Sequence, residues 1–446
     1  MKLLSIFILL FYYSLVSSQT TYQGVSTHFE ALGTPYGGCG VPPDLIDSEH
    51  FVALNVFVGP NTGSSDFTRP IVGADTVHKG EFNNGKNCGR WIKVTINEDC
   101  IGGVNDGALG KGFCRGGNWV NDKYSGAELY MIVTDACGDN NGWCRDSKYH
   151  LDLHTSSLND FEKEGLPVQD MYPLAFHNRK ITWEYVKAPN YTGDIDILFL
   201  QGAQYYWPAI LINHLENGIS KVEQKINGNW VQIDRNSDMG QGFILKDLTQ
   251  PYTIRVYDVE NKLINLGKEY TFSIPASCGN ACSQPATKPT NIQTYIPPKT
   301  QTIQLQKGWN LISTNVAVPN NQIQTVFAGL DVEIVKNSNG FWKKGQIQVL
   351  NSLQTILPGE GYLVKMNTSG NLVISGTPLS IVNFPLSIKN GWNIIGCPYQ
   401  TTTSITTLFD ASNTQTIKNF DDFWIPNDTL STISSLVPGK GYYIKK

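Results

Sequence analysis

The sequence predicts a mainly β protein assembled from several small domains. Three observations carry that expectation. Charged residues make up only 16% of the chain while glycine is abundant, with 42 among 446 residues, a composition that suits short strands joined by tight turns. Apolar and polar residues alternate in short runs, as in Trp91-Ile92-Lys93-Val94-Thr95-Ile96 and Ile254-Arg255-Val256-Tyr257, the period of a half-buried strand. The last third of the chain also repeats itself. A chain of this length exceeds one comfortable core, so two to four domains are expected.

Met1-Lys2 precedes the apolar run Leu3 to Val16 and the small residues Ser17 and Ser18. That order reads as a secretory signal over residues 1–18, cleaved near Gln19, with no stable membrane insertion afterwards. Residues 19–187 form a block rich in glycine and cysteine, with strands such as Glu128 to Val133, a helix expected near Ser157 to Glu164, and a closing strand from Lys180 to Val186. Lys187-Ala188-Pro189 marks a stiff junction. Residues 188–274 alternate cleanly, as in Asp194 to Phe199, in the manner of a small sandwich. Residues 275–300 contain five prolines among Thr, Ser, Gln and Lys and read as an extended tether.

Residues 301–446 are an internal duplication. Gly308-Trp309-Asn310-Leu311-Ile312 recurs as Gly391-Trp392-Asn393-Ile394-Ile395, Phe341-Trp342 as Phe423-Trp424, and Pro358-Gly359-Glu360-Gly361-Tyr362 as Pro438-Gly439-Lys440-Gly441-Tyr442. The offsets are 391−308 = 83, 423−341 = 82 and 438−358 = 80. Two copies suggest a paired β module rather than a solenoid. Its aromatic residues either fill two small cores or face a polysaccharide, and the sequence leaves both open.

Lys plus Arg number 34 against 38 Asp plus Glu, and no dense basic run appears. There is no positive field to neutralise phosphates, which excludes nucleic acid as a partner. In an exported chain, Cys39, Cys88, Cys100, Cys114, Cys137 and Cys144 read as three disulfides, with the pairing undetermined. Cys-x2-Cys pairs are absent, which argues against zinc. Cys278 and Cys282 are spaced to close a small loop, and Cys397 is left as a buried thiol. Asn190, Asn367 and Asn427 head glycosylation triplets.

The span Thr134 to Asp152 gathers Asp135, His150 and Asp152 beside Cys137 and Cys144, and a stapled loop ending in a strand can hold a carboxyl rigidly against a sugar. His150-Leu151-Asp152 resembles the His-Phe-Asp element of expansins, the proteins that loosen cellulosic walls without cutting them. Ser26-Thr27, Gly33-Thr34-Pro35-Tyr36-Gly37-Gly38-Cys39-Gly40 and Lys180 to Pro189 resemble further expansin segments, so that the resemblance covers residues from about 22 to 270. It implies a six-stranded double-psi β-barrel followed by an immunoglobulin-like carbohydrate-binding module. It also implies a groove holding Thr27, Asp135 and Asp152. Tyr205-Tyr206-Trp207 offers flat rings for stacking on glucan, and Tyr206 and Trp207 match two members of the family's aromatic row. The third position falls near Asp238-Met239, where no aromatic stands.

The resemblance therefore implies a secreted monomer of the wall or extracellular matrix. It would bind cellulose or a related β-glucan and loosen it without hydrolysis, using no metal and no organic cofactor. One departure points elsewhere. Inverting endoglucanases with the same barrel carry a base near the position of Glu30, where expansins have glycine. A weak endoglucanase with Asp152 as acid and Glu30 as base is thus one alternative, and a purely adhesive matrix protein is another.

Overall fold

The alternating segments of the first block become six strands that close on one another. In the computed structural model, which describes residues 20–59, 68–105, 111–137, 142–174, 176, 178–379 and 388–446, these are β1 (Thr21–Phe29), β2 (Phe51–Asn55), β3 (Trp91–Ile96), β4 (Glu128–Cys137), β5 (Leu151–His154) and β6 (Lys180–Val186). They neighbour one another in the order β2-β5-β1-β6-β3-β4, and pairing of β4 with β2 closes the ring. β1 with β5 and β2 with β4 run parallel, and the other pairs run antiparallel. The result is a closed, double-psi-like barrel in a mainly β protein. The period of two turns Ile92, Val94 and Ile96 inward to meet Leu151, Leu153 and Trp183. The Trp183 indole donates to the Tyr149 carbonyl at 3.0 Å, so its buried N–H is satisfied.

The helix expected near Ser157 to Glu164 is instead a short 3-10 turn over Thr155–Asn159, followed by a hairpin of Glu162–Lys163 and Leu166–Pro167. The hairpin turn puts Glu164 and Gly165 at φ of 55° and 79°, left-handed values that end any helix there.

The next eight strands form one curled sheet resembling an immunoglobulin-like sandwich. They are β7 (Asp196–Leu200), β8 (Ala209–Asn213), β9 (Lys221–Ile226), β10 (Asn229–Asn236), β11 (Met239–Ile244), β12 (Tyr252–Tyr257), β13 (Tyr270–Phe272) and β14 (Ala286–Thr287). Ile197, Phe199, Ile210, Ile212, Phe243 and Ile254 fill their core. The segment read as a tether from residue 275 is partly built into this sheet. Cys278 and Cys282 form a disulfide and lie in the core, and β14 pairs with β7. The chain accordingly divides into two compact units at Tyr295 and Ile296.

Barrel and sandwich share a seam within the first unit. Val41 packs against Leu198, Leu200 and Leu211, Asn213 donates to the Leu45 carbonyl at 2.6 Å, and His214 meets Asp47 at 3.0 Å. The hydrogen bond to Asp47 raises the His214 pKa from 6.5 to about 9, against the opposing effect of burial. A raised histidine contributes stability that is complete below pH 6.5 and lost as pH climbs through 9. The difference in Tm between the native chain and His214→Gln is therefore expected to be largest below pH 6.5 and to vanish above about 9, as measured by calorimetry across that range.

The remaining six cysteines pair as Cys39–Cys88, Cys100–Cys114 and Cys137–Cys144, and Cys397 is a buried thiol. Asn190, Asn367 and Asn427 are all exposed. The expected signal at 1–18 lies outside the described residues. Among those described, no helix is long and apolar enough to cross a membrane.

The second unit contains both repeats. In the first, β15 (Gly308–Ser313) pairs with β17 (Gly361–Met366), which pairs with β16 (Val332–Lys336). In the second, β18 (Trp392–Gly396), β19 (Thr416–Lys418) and β20 (Gly441–Lys445) repeat that arrangement. The copies clasp reciprocally: Ser313 N–H donates to the Gly439 carbonyl and Gly396 N–H to the Gly359 carbonyl, each at 3.0 Å. Equivalent residues make both bonds, so the repeats are related by a pseudo-two-fold.

Candidate functional site

Strand register collects the site before any side chain is considered. Thr27 on β1 is the partner of Asp152 on β5, Asp152 is the partner of Ala53 on β2, and Ala53 is the partner of Asp135 on β4. Thr27, Asp152, Ala53 and Asp135 thus form one row across four strands. The pairing of β2 with β4 shifts between Val52 and Ala53: Val52 faces Val133, but Ala53 faces Asp135. Thr134 is the extra residue of a bulge, which restores Asp135 to the face of Asp152. Ala53 between them has only a methyl group, so neither carboxyl is walled off from the other.

The Thr27 hydroxyl donates to Asp152 Oδ1 at 2.7 Å. Its single proton is then committed, so His150 Nε2, 2.9 Å from the same hydroxyl, must be the donor there. His150 is fully buried, and burial lowers its pKa to about 3, which keeps the ring neutral. His150, Thr27 and Asp152 form a one-way relay of hydrogen bonds ending on the carboxyl. The groove implied by the resemblance held Thr27, Asp135 and Asp152, and His150 joins them here. Its signal was position alone, since His150 and Asp152 share one strand face at the period of two.

Asp152 is mostly buried, and desolvation raises its pKa from 3.8 to about 6; the Thr27 bond opposes this and the charge of Asp135 adds to it. Asp135 is raised too, chiefly by burial, against the pull of backbone N–H groups and Arg69. Gly38 N–H and Ala136 N–H both donate to Asp135 Oδ1, at 2.6 and 2.8 Å. Gly38 is needed for this approach, because a Cβ there would lie 2.9 Å from that oxygen. Beneath the row, the sulfurs of Cys137 and Cys144 lie near the His150 ring, but in a disulfide they offer no thiolate to a metal.

Glu30 is not brought into the row. It lies one residue past the end of β1, beyond the last paired position Phe29. The side chain is exposed, and Glu30 Oε1 sits 3.3 Å from the Thr155 hydroxyl, which also meets His28 Nδ1 at 2.9 Å. His28 packs edge-on to Tyr172 and Phe176.

On the sandwich, Gln204 and Trp207 exchange backbone bonds of 3.0 and 3.1 Å, making a hairpin whose two-residue tip is Tyr205-Tyr206. The tip exposes Tyr205 at 49% and Tyr206 at 81%, with the rings edge to face at 5.0 Å. Trp207 lies past the tip and is half-buried against the seam with Leu198, Leu211 and Tyr36. At the third aromatic position, Asp238 forms an ion pair with Arg69 at 2.6 Å.

The closed, double-psi-like barrel and the curled sheet that follows it support an expansin-like fold. No family model matches the chain. A curated relative, Expansin-like protein 1 of Dictyostelium discoideum, is 24% identical over 148 residues, which is 33% of this chain and 38% of that protein's length. The match therefore spans well under half of the relative. Among solved structures, apo-expansin of Clavibacter michiganensis aligns over 55% of this chain and 89% of its own with a TM-score of 0.35 and 17% identity. A mutant of that expansin in complex with cellohexaose gives 0.34 and 15% over the same shares. At those values the assignment of the barrel rests on the strand register described above.

Proposed function

We propose that this protein is a secreted, expansin-like, glucan-binding protein that loosens contacts between polysaccharide chains without cutting them. The observation that carries the reading is the row Thr27–Asp152–Ala53–Asp135, in which a relay holds one carboxyl rigid at a pKa of about 6. While protonated, Asp152 keeps Oδ1 as acceptor for Thr27 and carries its proton on Oδ2, where it can serve a glucan oxygen. Among the described residues, Oδ2 meets only the proton-less sulfur of Cys137, at 3.7 Å. A carboxyl O–H donates stronger hydrogen bonds than a sugar hydroxyl, so it can replace a bond between glucan chains and let them slip. Tyr205 and Tyr206 anchor the second domain by stacking on the polymer.

Cleavage would require a second carboxylate acting across the sugar with water between. Glu30 is turned away toward Thr155, which supports the non-lytic reading. Asp135 is the remaining acid in the row, and its Oδ1 is held by two backbone donors, as suits a fixed neighbour rather than a base.

The test is the pH profile of paper weakening. Loss of tensile strength in cellulose filter paper is expected to be greatest below pH 6 and to decline through that value as Asp152 ionises. Glu30→Gln is expected to leave the profile unchanged. A profile that is flat from pH 4 to 8, or one lost in Glu30→Gln, would overturn the reading.

A further inference from the structure

The repeated motif of the second unit contains one residue that the fold does not explain. Gly308 and Gly391 take φ of 96° and 89°, which only glycine accepts readily. Asn310 and Asn393 staple the turn before their own strand: the side chain of Asn310 bonds both N–H and carbonyl of Gln306, and that of Asn393 does the same with Lys389. Tyr362 and Tyr442 are buried and accept from Leu357 N–H and Val437 N–H at 2.8 and 2.9 Å. The tryptophan between glycine and asparagine has no such duty. Trp309 is 43% exposed and Trp392 is 51% exposed, and each lies beside an equivalent lysine, Lys336 at 5.4 Å and Lys418 at 4.8 Å. A ring kept at the surface at the same place in both repeats is available to a ligand.

At Trp392 the surface is a cleft of about 230 Å³ between the two repeats. Ser338 Oγ accepts from Ile394 N–H at 2.9 Å, so its own proton is available to donate. Glu360 Oε2 accepts from Tyr362 and Asn337, at 2.8 and 3.2 Å, and no donor among the described residues reaches Oε1. Asn339 and Asn390 add exposed amides that both donate and accept. An indole flanked by a free donor, a free acceptor and neutral amides matches a sugar's apolar C–H face and its ring of hydroxyls. Glu360 and Lys389 in the lining offset one another, and the Lys418 ammonium stands 4.8 Å from the Trp392 ring as a second cation. The pseudo-two-fold position at Trp309 differs, because Phe420 and Lys440 stand where Ser338 and Glu360 do.

We infer that the cleft beside Trp392 is a second carbohydrate site, built for a polysaccharide chain and formed only where the two repeats meet. The inference does not depend on the function proposed for the barrel. The test uses the full chain with Asp152→Ala, Tyr205→Ala and Tyr206→Ala, which removes the first unit's proposed contacts. Titration calorimetry with cellohexaose, xylohexaose, mannohexaose and chitohexaose is expected to show binding of at least one. Trp392→Ala should then weaken that binding about fivefold to tenfold, Trp392→Phe should recover part of it, and Trp309→Ala should leave it unchanged. Failure of all four probes to bind, or equal binding by Trp392→Ala with its circular dichroism intact, would overturn the inference.

Discussion

Replacing Asp152 by asparagine is expected to stabilise the protein above pH 6 and to cut loosening about tenfold or more. The folded-state pKa of Asp152 is about 6 against an ordinary 3.8, so between those values the folded chain holds a proton that the unfolded chain has released. Stability therefore falls as pH rises from 4 to 6 and stays reduced above, by up to about 3 kcal/mol. Asparagine never ionises, keeps an oxygen for the Thr27 hydroxyl, and avoids that penalty. Its Tm should exceed that of the native chain at pH 7.5 and match it near pH 4. Its amide N–H is a weaker donor than a carboxyl O–H, so paper weakening should drop by about tenfold or more. Binding to insoluble cellulose should persist. Equal Tm at pH 7.5, or full weakening activity at pH 5, would show that the buried acid is not poised for use.

The second large effect is expected at the hairpin tip. Tyr205→Ala with Tyr206→Ala removes two exposed rings, each worth about 0.5–1.5 kcal/mol in a stacking contact, so cellulose affinity should fall roughly tenfold. Their exposure also predicts little change in Tm. Trp207→Ala should behave in the opposite way. Because Trp207 packs into the seam, its loss should cost about 2–4 kcal/mol of stability and reach binding only through the hairpin it supports. A pull-down on cellulose beside a thermal melt separates the two. Full binding by the double tyrosine variant would remove the anchor from the account.

Much of this site was visible in the chain because short-range pattern is what a strand preserves. His150 and Asp152 share a face by spacing alone, the alternation of Trp91 to Ile96 foretold a strand, and only the resemblance implied that it belongs to a barrel. Two features were not visible. The bulge at Thr134 depends on how β4 registers against β2, a long-range choice that no local run of residues specifies. The direction of Trp207 follows from a two-residue tip at Tyr205-Tyr206 and from the seam, which belongs to two domains at once. Glu30 was left open by the sequence as a possible base, and only its bond from Thr155 in the folded chain shows where its carboxylate is held. The proline-rich stretch misled because composition reports flexibility, whereas the Cys278–Cys282 disulfide and the pairing of Ala286–Thr287 hold its first half in the sandwich. In the repeat, the motif was plain, but which aromatics were core and which were surface needed the fold.

The most direct trial of the central claim is to follow one sample for two signals, the mechanical weakening of cellulose paper and the release of soluble and insoluble reducing ends. The account predicts weakening that depends on Asp152 with no rise in reducing ends over the same period. Reducing ends that appear in proportion to weakening, and disappear in Asp135→Asn or Glu30→Gln, would make the protein a hydrolase and contradict it.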